Sequence, residues 1–174
     1  MTGTSSTSSP SRTSWPGPLW SGCRVTLGDD SPEPARATNN PEAYDLYLQG
    51  RHIWYRRYEV GLEAALAYFQ RALEVDPAYA LPHTGICDAH CIANFYGVTS
   101  PAGGRSKAGP ALESALRHGP DLPETQFSLG LFRLLCEQEL NGALAAWTRA
   151  AELRPGFGAA LTWRSVALVT LGRV

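Results

Sequence analysis

Two stretches decide the reading of this chain: "ALAYFQRALEVDP", Ala65–Pro77, and "ALAAWTRAAELRP", Ala143–Pro155. Each sets down an alanine, a bulky side chain, a second alanine and a proline at the same intervals: Ala65, Phe69, Ala72 and Pro77, then Ala143, Trp147, Ala150 and Pro155. A third copy is Ala108, Leu112, Ala115 and Pro120. Steps of four and three gather these side chains on one face of an α-helix, and the proline stops that helix. Self-similarity at long period takes precedence over other local signals, because a repeat unit cannot bury its apolar face alone and must stack on its neighbours.

The residues after each proline repeat as well. His83, Ile86, Cys87 and His90 follow Pro77 at the offsets at which Gln126, Leu129, Gly130 and Arg133 follow Pro120, and Leu161, Arg164, Ser165 and Leu168 follow Pro155. Each quartet lies on one helical face, so the unit is a helix, a turn, a second helix and a terminating proline. Small alanines let paired helices approach closely while Phe69, Leu112 or Trp147 fills the gap between them. Upstream, "PEAYDLYLQGRHIWYRR" spaces Tyr44, Tyr47, Leu48, Trp54 and Tyr55 for one helical side, and Pro41 suits a first turn. A short connection is expected around Glu59 to Gly61, and seven helices are predicted, the last over about Gly158 to Leu171. The terminating prolines at 77, 120 and 155 are 43 and then 35 residues apart. The surplus falls between Cys91 and Lys107, where "NFYGVTSPAGGRSK" is predicted as a long loop. Gly109 and Pro110 then predict that the following helix starts late and is the least stable of the set.

A chain of 174 residues with 44% hydrophobic residues has enough apolar surface for one core. A net charge of −1 argues against a dedicated nucleic-acid binder, which would carry a basic excess or stripe. Lys107 is the one lysine beside many arginines, a bias that fits a GC-rich bacterial genome. Four cysteines without a CxxC pair do not make a disulfide framework, which fits a reducing cytoplasm. The first residues hold no continuous apolar block of the secretory kind. The longest apolar stretch, "FGAALTWRSVALVTL", is interrupted by Arg164, so the chain is read as soluble, with no membrane partner. More than half of residues 1–40 are Ser, Thr, Pro or Gly, so a disordered leader or linker is expected there, with Trp15, Trp20 and Cys23 as stray apolar residues. The repeat domain is expected over 41–174, in units of about 42–77, 80–120, 123–155 and a partial 158–174.

Two clusters carry chemistry-bearing residues. In "HTGICDAHC", His83, Cys87 and His90 share one helical face with Cys91 beside them, and both residue types bind zinc. They fall on packing positions, however, and one rigid helix seldom supplies tetrahedral geometry, so they are read as core and no metal is expected. In "RHIWYRR", Arg51, Arg56 and Arg57 are read as a solvated face whose stems cover Trp54 and Tyr55. No phosphate-cradling glycine loop, kinase catalytic loop or Gly-x-Ser-x-Gly elbow occurs. The sequence therefore predicts no enzyme and no cofactor.

The three Ala–bulky–Ala–Pro series, together with "FSLGLF" in a first helix, resemble the tetratricopeptide repeat family across roughly residues 42–174. His83 and Gln126 stand at that family's tryptophan place, and His90 and Arg133 at its tyrosine place, so individual units are degenerate. The resemblance implies an all-α fold, a right-handed superhelical stack of antiparallel helix pairs, with a concave groove lined by first helices. In this chain the groove positions map onto Leu81, Thr84, Asp88 and Cys91 in the second unit. They map onto Glu124, Phe127, Leu131, Leu134 and Leu135 in the third, and onto Thr162 and Val166 in the last. This lining is mostly apolar and lacks the Lys and Asn clamp with which some family members hold a terminal carboxylate. The implied function is a non-catalytic scaffold whose partner is an extended or helical apolar peptide segment, separate or part of the same longer polypeptide.

"NPEAYDLYLQGRHIWYRR" followed by "GLEAALAYFQRALEVDPAYAL" also resembles repeat blocks behind bacterial serine/threonine kinase, nucleotide cyclase or winged-helix regulator domains. That resemblance implies a sensing region from a longer signalling protein. The stack would end on an uncovered last helix, through which the chain is expected to self-associate.

Overall fold

The computed structural model describes residues 37–56 and 61–173. The expectations for residues 1–36, including Trp15, Trp20 and Cys23, and those for 57–60, lie outside the described residues. Among the described residues there are seven helices and no strand. They are α1 (Pro41–Tyr55), α2 (Leu62–Val75), α3 (Ala80–Phe95), α4 (Pro101–His118), α5 (Pro123–Glu137), α6 (Leu140–Leu153) and α7 (Gly158–Thr170). None of them is long and apolar enough to cross a membrane. Each helix packs on the next in chain order, and α1 also meets α3 as α3 meets α5. Three hairpins, α1–α2, α3–α4 and α5–α6, therefore follow one another with their first helices side by side, an arrangement compatible with a superhelical stack.

Local chemistry sets the ends. Asn40 caps α1 by accepting from the backbone N–H groups of Glu42 and Ala43 at 3.0 and 3.2 Å, and Pro41 occupies the first turn. The Thr38 hydroxyl donates to the Asp76 carboxylate and accepts from the Asn40 N–H, which ties the entry of α1 to the exit of α2. α5 stops where Gln138 turns left-handed at φ 60°, and α6 begins two residues later.

The bulky residue of each second helix is its packing knob. Phe69 and Trp147 are fully buried, and each lies against a glycine of a first helix. A Cβ added at Gly50 or Gly85 would come within 2.6 Å of the Phe69 ring, and one at Gly130 within 2.3 Å of Trp147. Trp147 satisfies its indole N–H on the Phe127 carbonyl at 3.2 Å and stacks, tilted, on Trp163 of α7 at 5.5 Å.

The second hairpin departs from expectation. The long loop before Lys107 is only five residues, and α4 starts at Pro101 and runs through Gly109 and Pro110 to His118. The Ser100 hydroxyl caps it by accepting from the Gly103 N–H at 3.1 Å, and Pro101 sits at the first turn, a start signal that outweighs the breaker downstream. Pro110 has no N–H for the Ser106 carbonyl, the local loss expected of a mid-helix proline. Tertiary contacts hold the first turns in place all the same. Gly104 lies so close to Asn94 that a Cβ would meet that side chain at 2.8 Å. Arg105 donates to the Cys136 carbonyl through two guanidinium nitrogens. Asn94 in turn donates to the Leu135 carbonyl at 2.8 Å, so α3, α4 and α5 meet at one junction.

Candidate functional site: a groove across the first helices

A groove of about 280 Å³ crosses the first helices. One wall is α1, through Tyr44, Tyr47, Leu48, Arg51 and Tyr55, and the buried Leu81 and Asp88 of α3 lie at its base. The other wall is Glu124 and Phe127 of α5 with Arg154, Phe157 and Ala159 around the turn into α7.

The register explains which side chains arrive there. With Gly50 taken as the counterpart of Cys87 and Gly130, the positions of Leu81, Thr84 and Asp88 correspond to Tyr44, Tyr47 and Arg51 in α1, and to Glu124, Phe127 and Leu131 in α5. Side chains three and four apart share a helical face, so equivalent positions of neighbouring first helices come side by side. That is how Arg51 comes to stand 3.9 Å from Asp88.

The polar groups of the groove are engaged with one another. Asp88, 3% exposed, accepts from the Ser128 hydroxyl at 2.6 Å, and Arg51 donates to the Tyr55 oxygen at 2.8 Å. Tyr55, Arg51, Asp88 and Ser128 thus form a line from α1 through α3 to α5. Beside it the Arg154 guanidinium donates to Glu124 at 2.7 Å and lies 4.1 Å from the centre of the Phe157 ring, which packs on Phe127 at 5.4 Å. Burial pushes the Asp88 carboxyl up to about 6, against the Ser128 hydrogen bond and the Arg51 charge that favour its ionised form. Burial likewise pushes the Tyr47 phenol up to about 12. Two cations and two carboxylates cancel across an otherwise aromatic and aliphatic lining, a surface suited to an uncharged, apolar ligand face.

The groove positions read from the sequence have different fates. Leu81, Asp88, Glu124 and Phe127 line the cavity. Thr84 is buried with its hydroxyl donating to the Leu81 carbonyl at 2.7 Å, and Cys91 and Leu131 are buried in the core. Leu134 and Leu135 are half-buried against that core, while Thr162 and Val166 are exposed on α7 away from the cavity lining. Tyr44, Tyr47, Leu48, Arg51 and Tyr55 of α1 line the cavity too, although the family's groove positions map only onto the second and later units. Their three- and four-residue spacing was the available signal. Arg51, expected on a solvated face, is instead half-buried against Asp88, because the position beside it on α3 is acidic. Arg56 is exposed, and Arg57 lies outside the described residues.

His83 stacks on His118 at 6.0 Å, and Cys87 is buried in the core. Among the described residues no group of three or more His, Cys, Asp or Glu is placed to hold a metal ion.

No protein-family model matches the sequence, and no curated protein matches it.

Proposed function

We propose that the chain is a tetratricopeptide-repeat-like scaffold, without catalytic activity of its own, that captures the uncharged apolar face of a protein segment in the groove across α1, α3 and α5. The observation that carries this reading is the lining itself. One register of three successive first helices supplies its floor and much of its walls, the turn into α7 adds Arg154 and Phe157, and its Arg51, Asp88, Glu124 and Arg154 already have partners of opposite charge. A ligand carboxylate would have to displace an internal one from its guanidinium, at a cost that an apolar face avoids. Leu48, Phe127 and Phe157 offer apolar contact, and Tyr55, whose oxygen accepts from Arg51, keeps its own proton for a ligand carbonyl.

Selection of a random peptide library displayed on phage against the immobilised protein tests the reading. Enriched peptides are expected to carry closely spaced aromatic or aliphatic residues, to need no free C-terminus, and to lose at least about tenfold in affinity for the Leu48→Asp protein, whose altered side chain is 44% exposed and so leaves the fold intact. Enrichment that requires a free C-terminal carboxylate, or binding indifferent to Leu48→Asp, would overturn it.

A further inference from the structure

Three thiols lie in a row through the middle of the stack, and the groove makes no use of them. Cys87 and Cys91 are four residues apart on α3 with their sulfurs 4.0 Å apart, and Cys91 Sγ is 3.8 Å from Cys136 Sγ near the end of α5. Cys87 and Cys91 are fully buried. Cys136, 5% exposed, lines a surface depression with Pro101, Ala102, Arg105 and Ser106. The two helices that carry the pair are held together on either side of it, by Ser128 donating to Asp88 and Asn94 donating to the Leu135 carbonyl.

We propose that Cys91 and Cys136 form a reversible oxidation site, whose disulfide staples α3 to α5.

Geometry selects this pair from the three. A disulfide needs Cβ atoms about 3.8 Å apart, whereas residues four apart on a helix hold theirs about 5–6 Å apart. A Cys87–Cys91 bond would therefore distort α3. Cys91 and Cys136 project from different helices, so no helical repeat fixes their Cβ spacing, and their sulfurs, 3.8 Å apart, have to close to about 2.05 Å.

The oxidant is a peroxide that enters at the depression beside Cys136. The Cys136 thiolate attacks one peroxide oxygen, the O–O bond breaks, and the hydroxide that leaves takes up a proton to become water. The resulting sulfenic acid is then attacked at sulfur by Cys91, which gives up its proton as the S–O bond breaks and a second water leaves. Two thiols and one hydrogen peroxide yield one disulfide and two waters, and the two electrons lost by sulfur reduce the peroxide. The hydrogen bond with Cys91 and then burial push the Cys136 thiol up, with the Arg105 charge acting against them. Thiolate is therefore scarce at neutral pH, and the oxidation is slow and speeds up with rising pH. The bond joins residues 45 apart in sequence and stops α3 from sliding on α5.

The experiment treats the full chain, carrying Cys23→Ser to remove the fourth thiol, with hydrogen peroxide, and then alkylates the remaining thiols in denaturant. The expected product has lost about 2 Da, carries one alkylated thiol at Cys87, and yields a Cys91–Cys136 cross-linked peptide that dithiothreitol releases. Its Tm is expected to rise by about 5–10 °C. Cys87→Ser should retain the cross-link. Three alkylated thiols after treatment, oxygen added at Cys136 without a cross-link, or a bond that includes Cys87 would each overturn the proposal. Because the peptide map is read on the three native cysteines, it does not depend on whether Cys91→Ser or Cys136→Ser folds.

Discussion

The hairpins α3–α4 and α5–α6 share the intervals within each helix and fill them differently. Where Trp147 of α6 meets Gly130 of α5, the equivalent positions of the other hairpin hold Leu112 and Cys87, both in the same core cluster. A large ring faces no side chain, and a smaller aliphatic group faces a small one. Asp88 stands where α5 has Leu131, and both are buried. Pro110 stands where α6 has Ala145. The repeat thus conserves the volume of a pair rather than the identity of either member, and the second hairpin accepts polar and breaking residues where neighbours compensate for them.

The knob positions carry the largest expected effect. Trp147→Ala should cost about 3–5 kcal/mol in urea unfolding, because it removes a fully buried indole and leaves Gly130 facing a void, while Leu112→Ala should cost about 2–4 kcal/mol. A Leu112→Ala loss as large as that of Trp147→Ala would break the volume argument.

Next comes Asp88, whose counterpart Leu131 cannot titrate. Its folded-state carboxyl, pushed up to about 6 from 3.8 by burial, holds a proton more tightly than in the unfolded chain. Its contribution to stability is therefore fully present below the unfolded value and is lost as pH rises through the folded one. Relative to Asp88→Asn, the parent protein should gain on the order of 2 kcal/mol as pH falls from 7.5 to 4.5, measured as the difference between two denaturant series. A flat difference would show that Asp88 does not titrate as a buried acid.

Copying the third hairpin into the second at one position should stabilise it. Pro110→Ala is expected to add roughly 1–2 kcal/mol by giving the Ser106 carbonyl a donor. A loss on this substitution would mean that Pro110 itself is needed for α4 to reach Asn94 and Cys136.

The smallest effect sharpens the pairing itself. Gly130→Cys and Trp147→Leu together transplant the second hairpin's pair, and the double variant should be about 1 kcal/mol more stable than the sum of the single losses predicts. Strict additivity would deny that the two positions share one volume.

Much of the fold was legible because its signals are local. The Ala–bulky–Ala–Pro series marked α2, α4 and α6, and the matching offsets after each proline marked α3, α5 and α7. α4 starts earlier than its own propensities indicate. Gly109 and Pro110 weaken a helix by an amount that propensity describes, but Ser100, Pro101 and the contacts of Gly104 and Arg105 with Asn94 and Cys136 act in the opposite direction, and the last is made with a residue 31 positions away in sequence. In the groove, Leu81, Asp88, Glu124 and Phe127 were among the positions that the resemblance to tetratricopeptide repeats implied. Arg154 and Phe157 did not, because they sit around a turn, where periodicity carries no information.

The sequence by itself determined seven helices and their order, since a period of 3.6 residues and the caps and breakers at helix ends act within a few residues of one another. Only the tertiary structure decided that Arg51 meets Asp88, that Asp88 meets Ser128, and that Cys91 meets Cys136. Those neighbours come from helices tens of residues apart, brought into register by how Phe69, Leu112 and Trp147 settle between them, and that settling depends on the summed volume of the whole core.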